Sequence, residues 1–240
     1  MSPSGKELLK IEGLIKKFGG FKALNGIGMD VREGHIVGLA GPNGSGKTTL
    51  INVISGVYGP DGGTIEFGGK SVYKLPSHKI VRRGINRTFQ VPRPLSSLTV
   101  RETVKLAAVY GTCEGNKENT IREALEIVEL EGVKDVVSAG LTFTQQKMLG
   151  LATALATKPK LLLIDEIAAG LSHQELFKIS RMLLRIRDTG VAMIVVEHHL
   201  GFIDALTSDV VVMNAGANLF RGSIQEAAQN DEVVEVFLGR

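Results

Sequence analysis

At 240 residues the chain can form one large domain with a full hydrophobic core, or a core carrying a small lobe. A formal net charge of +3 is too small for the basic face of a nucleic-acid-binding module, and a single cysteine, Cys113, excludes an internal disulfide and fits a reducing compartment. The longest apolar runs, such as VAMIVV, fall well short of the roughly 20 residues that a bilayer span needs, and MSPSGKELLK lacks the apolar centre of a signal peptide, so a cytoplasmic chain is expected.

Residues 8–18 and 27–33 alternate as half-buried strands do. The apolar run 36–40 leads straight into a glycine-rich turn, and 47–55 reads as a helix closed by Gly56. Residues 64–72 suggest a strand with a hairpin, 76–83 a basic amphipathic helix, and 85–90 a short strand. After Pro92 and Pro94 the character changes: 100–110 and 120–131 carry apolar residues at helical spacing. From residue 141 the pattern predicts a helix, a strand at 161–164, a helix at 174–187, a strand at 191–196, a helix at 199–206 and a strand at 209–213. Strands alternating with helices imply a parallel sheet covered on both faces. The arginines Arg82, Arg83 and Arg87 are expected to lie on a solvated helix face.

The strongest chemical signal is GPNGSGKT at 41–48, a full match to G-x-x-x-x-G-K-[ST] set between an apolar strand and a helix. Glycines let backbone N–H groups approach phosphate oxygens, and the helix N-terminus adds a favourable dipole. Asn43, Gly44, Ser45 and Gly46 are the expected cradle. Lys47 would supply positive charge to the β/γ-phosphates, with Thr48 offering its hydroxyl to Mg²⁺ and Thr49 next to it. LLLIDE at 161–166 then carries Asp165, expected to hold Mg²⁺, and Glu166, expected to polarise an attacking water, to the carboxyl edge of the sheet. In LTFTQQ, Thr142-x-x-Gln145 is a capping box that opens a helix running to Ala156.

GPNGSGKT, RTFQ, LTFTQQ, LLLIDE and VVEH, in this order, resemble the motifs of an ATP-binding cassette (ABC) ATPase over essentially the whole chain. FGGFKAL, RTFQ, VVEH and the ending VVEVFLG are most similar to the ATPases of branched-chain amino acid uptake systems. The resemblance implies an α/β P-loop NTPase core with a largely parallel sheet flanked by helices, an N-terminal antiparallel β subdomain and an inserted α-helical lobe. It divides the chain into 1–91, 92–140 and 141–240. ATP and Mg²⁺ are the implied cofactors. Phe18 would stack on adenine, Gln90 would reach Mg²⁺ and the attacking water, and His198 would contact the γ-phosphate. Thr142, Phe143, Thr144 and Gln145 would contact the nucleotide held by a partner chain. Implied partners are membrane-spanning transporter subunits and a second ABC ATPase, so the chain would sit peripherally on the cytoplasmic face of the membrane.

Several positions depart from the family pattern. Thr144 replaces a signature glycine, Thr153 a usual Arg, Ile167 a usual Pro, and Ser172 a usual Asp or Asn. An intact phosphate loop beside an altered signature suits a heterodimer of two different ATPases, with a homodimer as the alternative. The ATPase of a lipid-type exporter, or a soluble scaffold or assembly ATPase, are other readings of the same cassette.

Overall fold

The computed structural model describes residues 5–88, 97–111 and 116–238. Strands β1 (Glu7–Phe18) and β2 (Phe21–Arg32) form a hairpin about Gly19–Gly20, with Phe18 opposite Phe21. β2 starts at Phe21 rather than at residue 27. Register shifts along the β1–β2 pair interrupt the apolar alternation that marks a strand in sequence, while the ladder itself continues. β4 (Gly62–Phe67) and β5 (Lys70–Ser71) complete an antiparallel sheet in the order β2-β1-β4-β5.

The second sheet has six strands: β3 (Ile36–Ala40), β6 (Ile85–Arg87), β7 (Leu161–Asp165), β8 (Ala192–Val196), β9 (Val210–Asn214) and β10 (Ala217–Gly222), ordered β10-β9-β3-β8-β7-β6. Every pairing is parallel except β10 on β9. β3, β7 and β8 are buried along their whole length, which is why they read as unbroken apolar runs rather than alternating ones. Leu39 and Asp165 both pair with Val196, so the carboxyl ends of these three central strands lie level at one edge.

Helix α1 (Lys47–Ile54) packs in the core between the two sheets, and α2 (Ser77–Arg83) precedes β6. On the other face, α3 (Val100–Tyr110), α4 (Lys117–Ile127), α5 (Phe143–Leu155) and α6 (His173–Asp188) share a second core. α4 begins at Lys117 because Asn116 caps it, and it stops before residue 131, where Glu129 turns to φ 60°. Short α7 (Leu200–Asp204) is followed by α8 (Ile224–Ala227) and α9 (Asp231–Leu238). β10, α8 and α9 lie beyond the last strand expected from the sequence, at 209–213, although a Ser223–Glu226 capping box marks the start of α8. Arg221 on β10 joins the two sheets by bonding both Asp209 and Asp30. Among the described residues, no helix is long and apolar enough to cross a membrane.

Candidate functional site

The loop between β3 and α1 is shaped by steric necessity. Gly41 (φ 143°) and Gly46 (φ 104°) lie in backbone conformations that favour glycine; a Cβ on Gly41 would lie 2.2 Å from the Met213 carbonyl oxygen, and one on Gly46 would lie 2.7 Å from that of Ala23. No side chain caps α1, so the backbone N–H groups of its first turn keep their capacity for a ligand. The Lys47 side chain is folded back over the loop: Nζ donates to the carbonyls of Gly41 (2.8 Å) and Pro42 (2.9 Å). Burial lowers its pKa, against the pull of the nearby Glu166 and Asp165 carboxylates.

A cleft of about 290 Å³ opens beside this loop. It is lined by Asn43, Gly44, Gly46, Lys47, Thr48 and Thr49, and also by Phe18, Glu166 and His198. Ser45, in the same loop, is buried and is not part of the lining of this cleft. Phe21 and Ala23 line it too, and the sequence reading missed them. The cue was in FGGF: a two-glycine turn sets Phe18 and Phe21 side by side at the hairpin tip. Phe18 also meets Tyr58 edge to face, with ring centres 5.2 Å apart.

Asp165 ends β7 and is buried. Its Oδ2 accepts from Arg87 Nη2 at 3.5 Å, while Oδ1 is buried without a hydrogen-bond partner among the described residues. Burial raises its pKa, opposed by the Arg87 guanidinium. Arg87 is therefore not on a solvated helix face. It sits on β6, where Nη1 also donates to Asn52 Oδ1 (2.5 Å); Arg82 and Arg83, in the last turn of α2, are exposed as expected. A parallel strand delivers Arg87 inward, and helical spacing carried no sign of that.

Glu166 leaves the sheet at φ 49°, a left-handed conformation that costs on the order of 1 kcal/mol for a side chain of this kind. Its Oε1 lies 3.0 Å from Nε2 of His198. Glu197, between β8 and His198, is buried, and its Oε1 accepts from Ala168 N at 2.7 Å. The neighbouring His199 caps α7 through Nδ1. Gln90, like Cys113, lies outside the described residues.

Residues 142–145 are absent from the lining of this cleft. They open α5, where Thr142 Oγ1 accepts from Gln145 N and Gln145 Oε1 accepts from Thr142 N, the capping box expected. Phe143 is exposed. Thr144 Oγ1 donates to Glu175 Oε1 at 2.7 Å, and Ser172 Oγ donates to Oε2 of the same carboxylate at 2.7 Å. Two of the departures noted above thus meet on one side chain. Hydroxyl donors from Ser172 and Thr144 hold the Glu175 pKa down at about 2.

The ABC transporter family profile matches residues 24–169. The chain is 32% identical to the high-affinity branched-chain amino acid transport ATP-binding protein BraF of Pseudomonas aeruginosa, over 98% of both chains. It is 35% identical to the probable branched-chain amino acid transport ATP-binding protein LivG of Archaeoglobus fulgidus, over 97% of this chain and 96% of that one. Among solved structures, MJ1267, an ATP-binding cassette of an ABC transporter in its ADP conformation, superposes with a TM-score of 0.90 at 30% identity, over 98% of this chain and all of the other. Sequence, fold and the phosphate-loop cleft agree: the chain belongs to the ABC transporter family and is an ATP-binding cassette ATPase.

Proposed function

We propose that the chain hydrolyses ATP to drive a membrane importer of branched-chain amino acids, working as one half of a pair of cassettes beneath membrane-spanning subunits. The observation that carries the catalytic reading is the Glu166–His198 contact of 3.0 Å on the wall of the phosphate-loop cleft. The names of BraF and LivG support the substrate class and do not favour the exporter or scaffold alternatives.

In this reading the N–H groups of the loop and of the first turn of α1 cradle the phosphates, and the Lys47 ammonium exchanges its carbonyl partners for phosphate oxygen. Phe18 and Phe21 offer apolar faces to the base. The orphaned Oδ1 of Asp165 and the exposed hydroxyl of Thr48 suit a divalent cation, and Mg²⁺ held there would neutralise charge on the phosphate oxygens. Glu166 orients the attacking water, and His198 fixes the carboxylate and reaches towards the γ-phosphate. Thr142–Gln145 face the nucleotide of the other cassette. Because the α5 end is capped by its own side chains and Thr144 is turned to Glu175, that second site is the weaker one, which favours a heterodimer.

Hydrolysis by the purified chain, measured across a wide protein concentration range with Lys47→Ala as blank, tests this. Tight ATP binding with turnover no greater than the blank is expected for a chain awaiting a different partner. Activity per molecule that climbs with concentration would mean a working homodimer and would end the heterodimer reading.

A further inference from the structure

Lys147 and Glu197 are two buried ionisable groups that the scheme above does not use. Lys147 belongs to α5 and is 6% exposed; Glu197 follows β8 and is 3% exposed. Unpaired buried charges are costly, and apolar side chains of similar volume are often as stable, so an ammonium kept here calls for a reason. Its contacts supply one. Nζ donates to the carbonyls of Ile167 (2.8 Å) and Ala169 (2.5 Å), with that of Glu166 at 3.5 Å. In the same turn, the Glu197 carboxyl group accepts the N–H of Ala168. The turn that begins at Glu166 is thus gripped through its carbonyls by one element and through an amide by another. Next to Glu197 in sequence is His198, which meets the Glu166 carboxylate itself.

We propose that Lys147 and Glu197 are positioning residues for Glu166. The buried ammonium and carboxyl group fix the 166–169 turn, so that Glu166 holds its left-handed backbone and its carboxylate stays against His198 on the cleft. The ammonium also ties this turn to α5, the helix whose first turn is assigned to the partner's nucleotide. The proposal rests on the reading of Glu166 given above.

Hydrogen exchange and ATP binding on the full chain, with turnover read in the assembled pair of cassettes, test it. In Lys147→Met, amides of residues 167–171 are expected to exchange about tenfold faster while β3 and α1 keep wild-type protection. Affinity for a fluorescent ATP analogue should stay within about twofold, because the phosphate loop is untouched, and turnover should drop about tenfold or more at unchanged KM. Lys147→Arg, which retains donors, should recover most of both losses. If Lys147→Met does not fold, Lys147→Gln is read in the same way. Wild-type exchange at 167–171 in a folded variant overturns the hold. Glu166→Gln separates the two ideas: lost turnover with wild-type exchange supports the role of Glu166 whatever Lys147 does, and full turnover ends both that role and the catalytic purpose of the hold.

Discussion

The two helix N-termini proposed to meet nucleotide, those of α1 and α5, are built in opposite ways. α1 begins at Gly46, with φ 104° and no side-chain cap, so its amides are left to a ligand. α5 begins at Thr142, whose hydroxyl and backbone amide are both engaged by Gln145. Beside α1, Gly41 and Gly46 are enforced by this chain's own backbone, since a Cβ on either would run into the carbonyl of Met213 or of Ala23. At Thr144 the chain's own backbone makes no such demand, and a β-branched residue sits comfortably with its hydroxyl on Glu175. A glycine required for packing within one chain is thus a different kind of glycine from one required only by a ligand on another chain. The second kind can be lost while the fold stands.

Exchanging residues at these positions sharpens that contrast. Gly46→Ala should be severe: a positive φ and a 2.7 Å approach to backbone oxygen together cost about 2–4 kcal/mol, read as a lower melting temperature with weakened ATP binding. The contrast would collapse if Gly46→Ala melted like the wild type.

Glu197 gives an intermediate, pH-dependent effect. Burial lifts its carboxyl from an ordinary value near 4.5 to about 7, against the Ala168 N–H and Lys147. The folded chain therefore keeps a proton that the unfolded chain releases between those values. This contribution to stability is complete below pH 4.5 and is lost as pH rises through 7, with an upper bound of about 3 kcal/mol. Melting temperature measured from pH 5 to 8 should fall more steeply in the wild type than in Glu197→Gln. Parallel curves would show that Glu197 does not titrate in this window.

Thr144→Gly should be the mildest. Losing one hydroxyl bond to Glu175 costs about 1 kcal/mol, a few degrees in melting temperature, and leaves ATP binding at the chain's own phosphate loop unaltered. In the assembled pair it should strengthen ATP trapping at the site closed by α5. An unchanged second site there would remove the case for asymmetry.

The features legible in the sequence were those with a local physical cause. Fully buried strands read as apolar runs, the phosphate loop as a glycine pattern, and the Thr142–Gln145 box as a spacing of three. The features that escaped depend on what surrounds a residue. Arg87 and Lys147 look like solvated cations in a string of letters, yet one lies against Asp165 and the other inside a ring of carbonyls. Phe21 escaped because bulges blurred the strand that carries it. Periodicity says which face a residue shares and nothing of what waits on the other side.

The carboxylate shared by Thr144 and Ser172 makes these two positions non-additive. Each hydroxyl donates to a different oxygen of Glu175, so changing either one alters the donor set on which the other relies. A double-mutant cycle across them should return a coupling energy rather than a simple sum. Restoring a glycine at Thr144 and an aspartate at Ser172 would set a second carboxylate beside Glu175, with the hydroxyl donors of both original residues removed. On any route from this signature back to the family's usual one, the cost of each change therefore depends on whether the other has already been made.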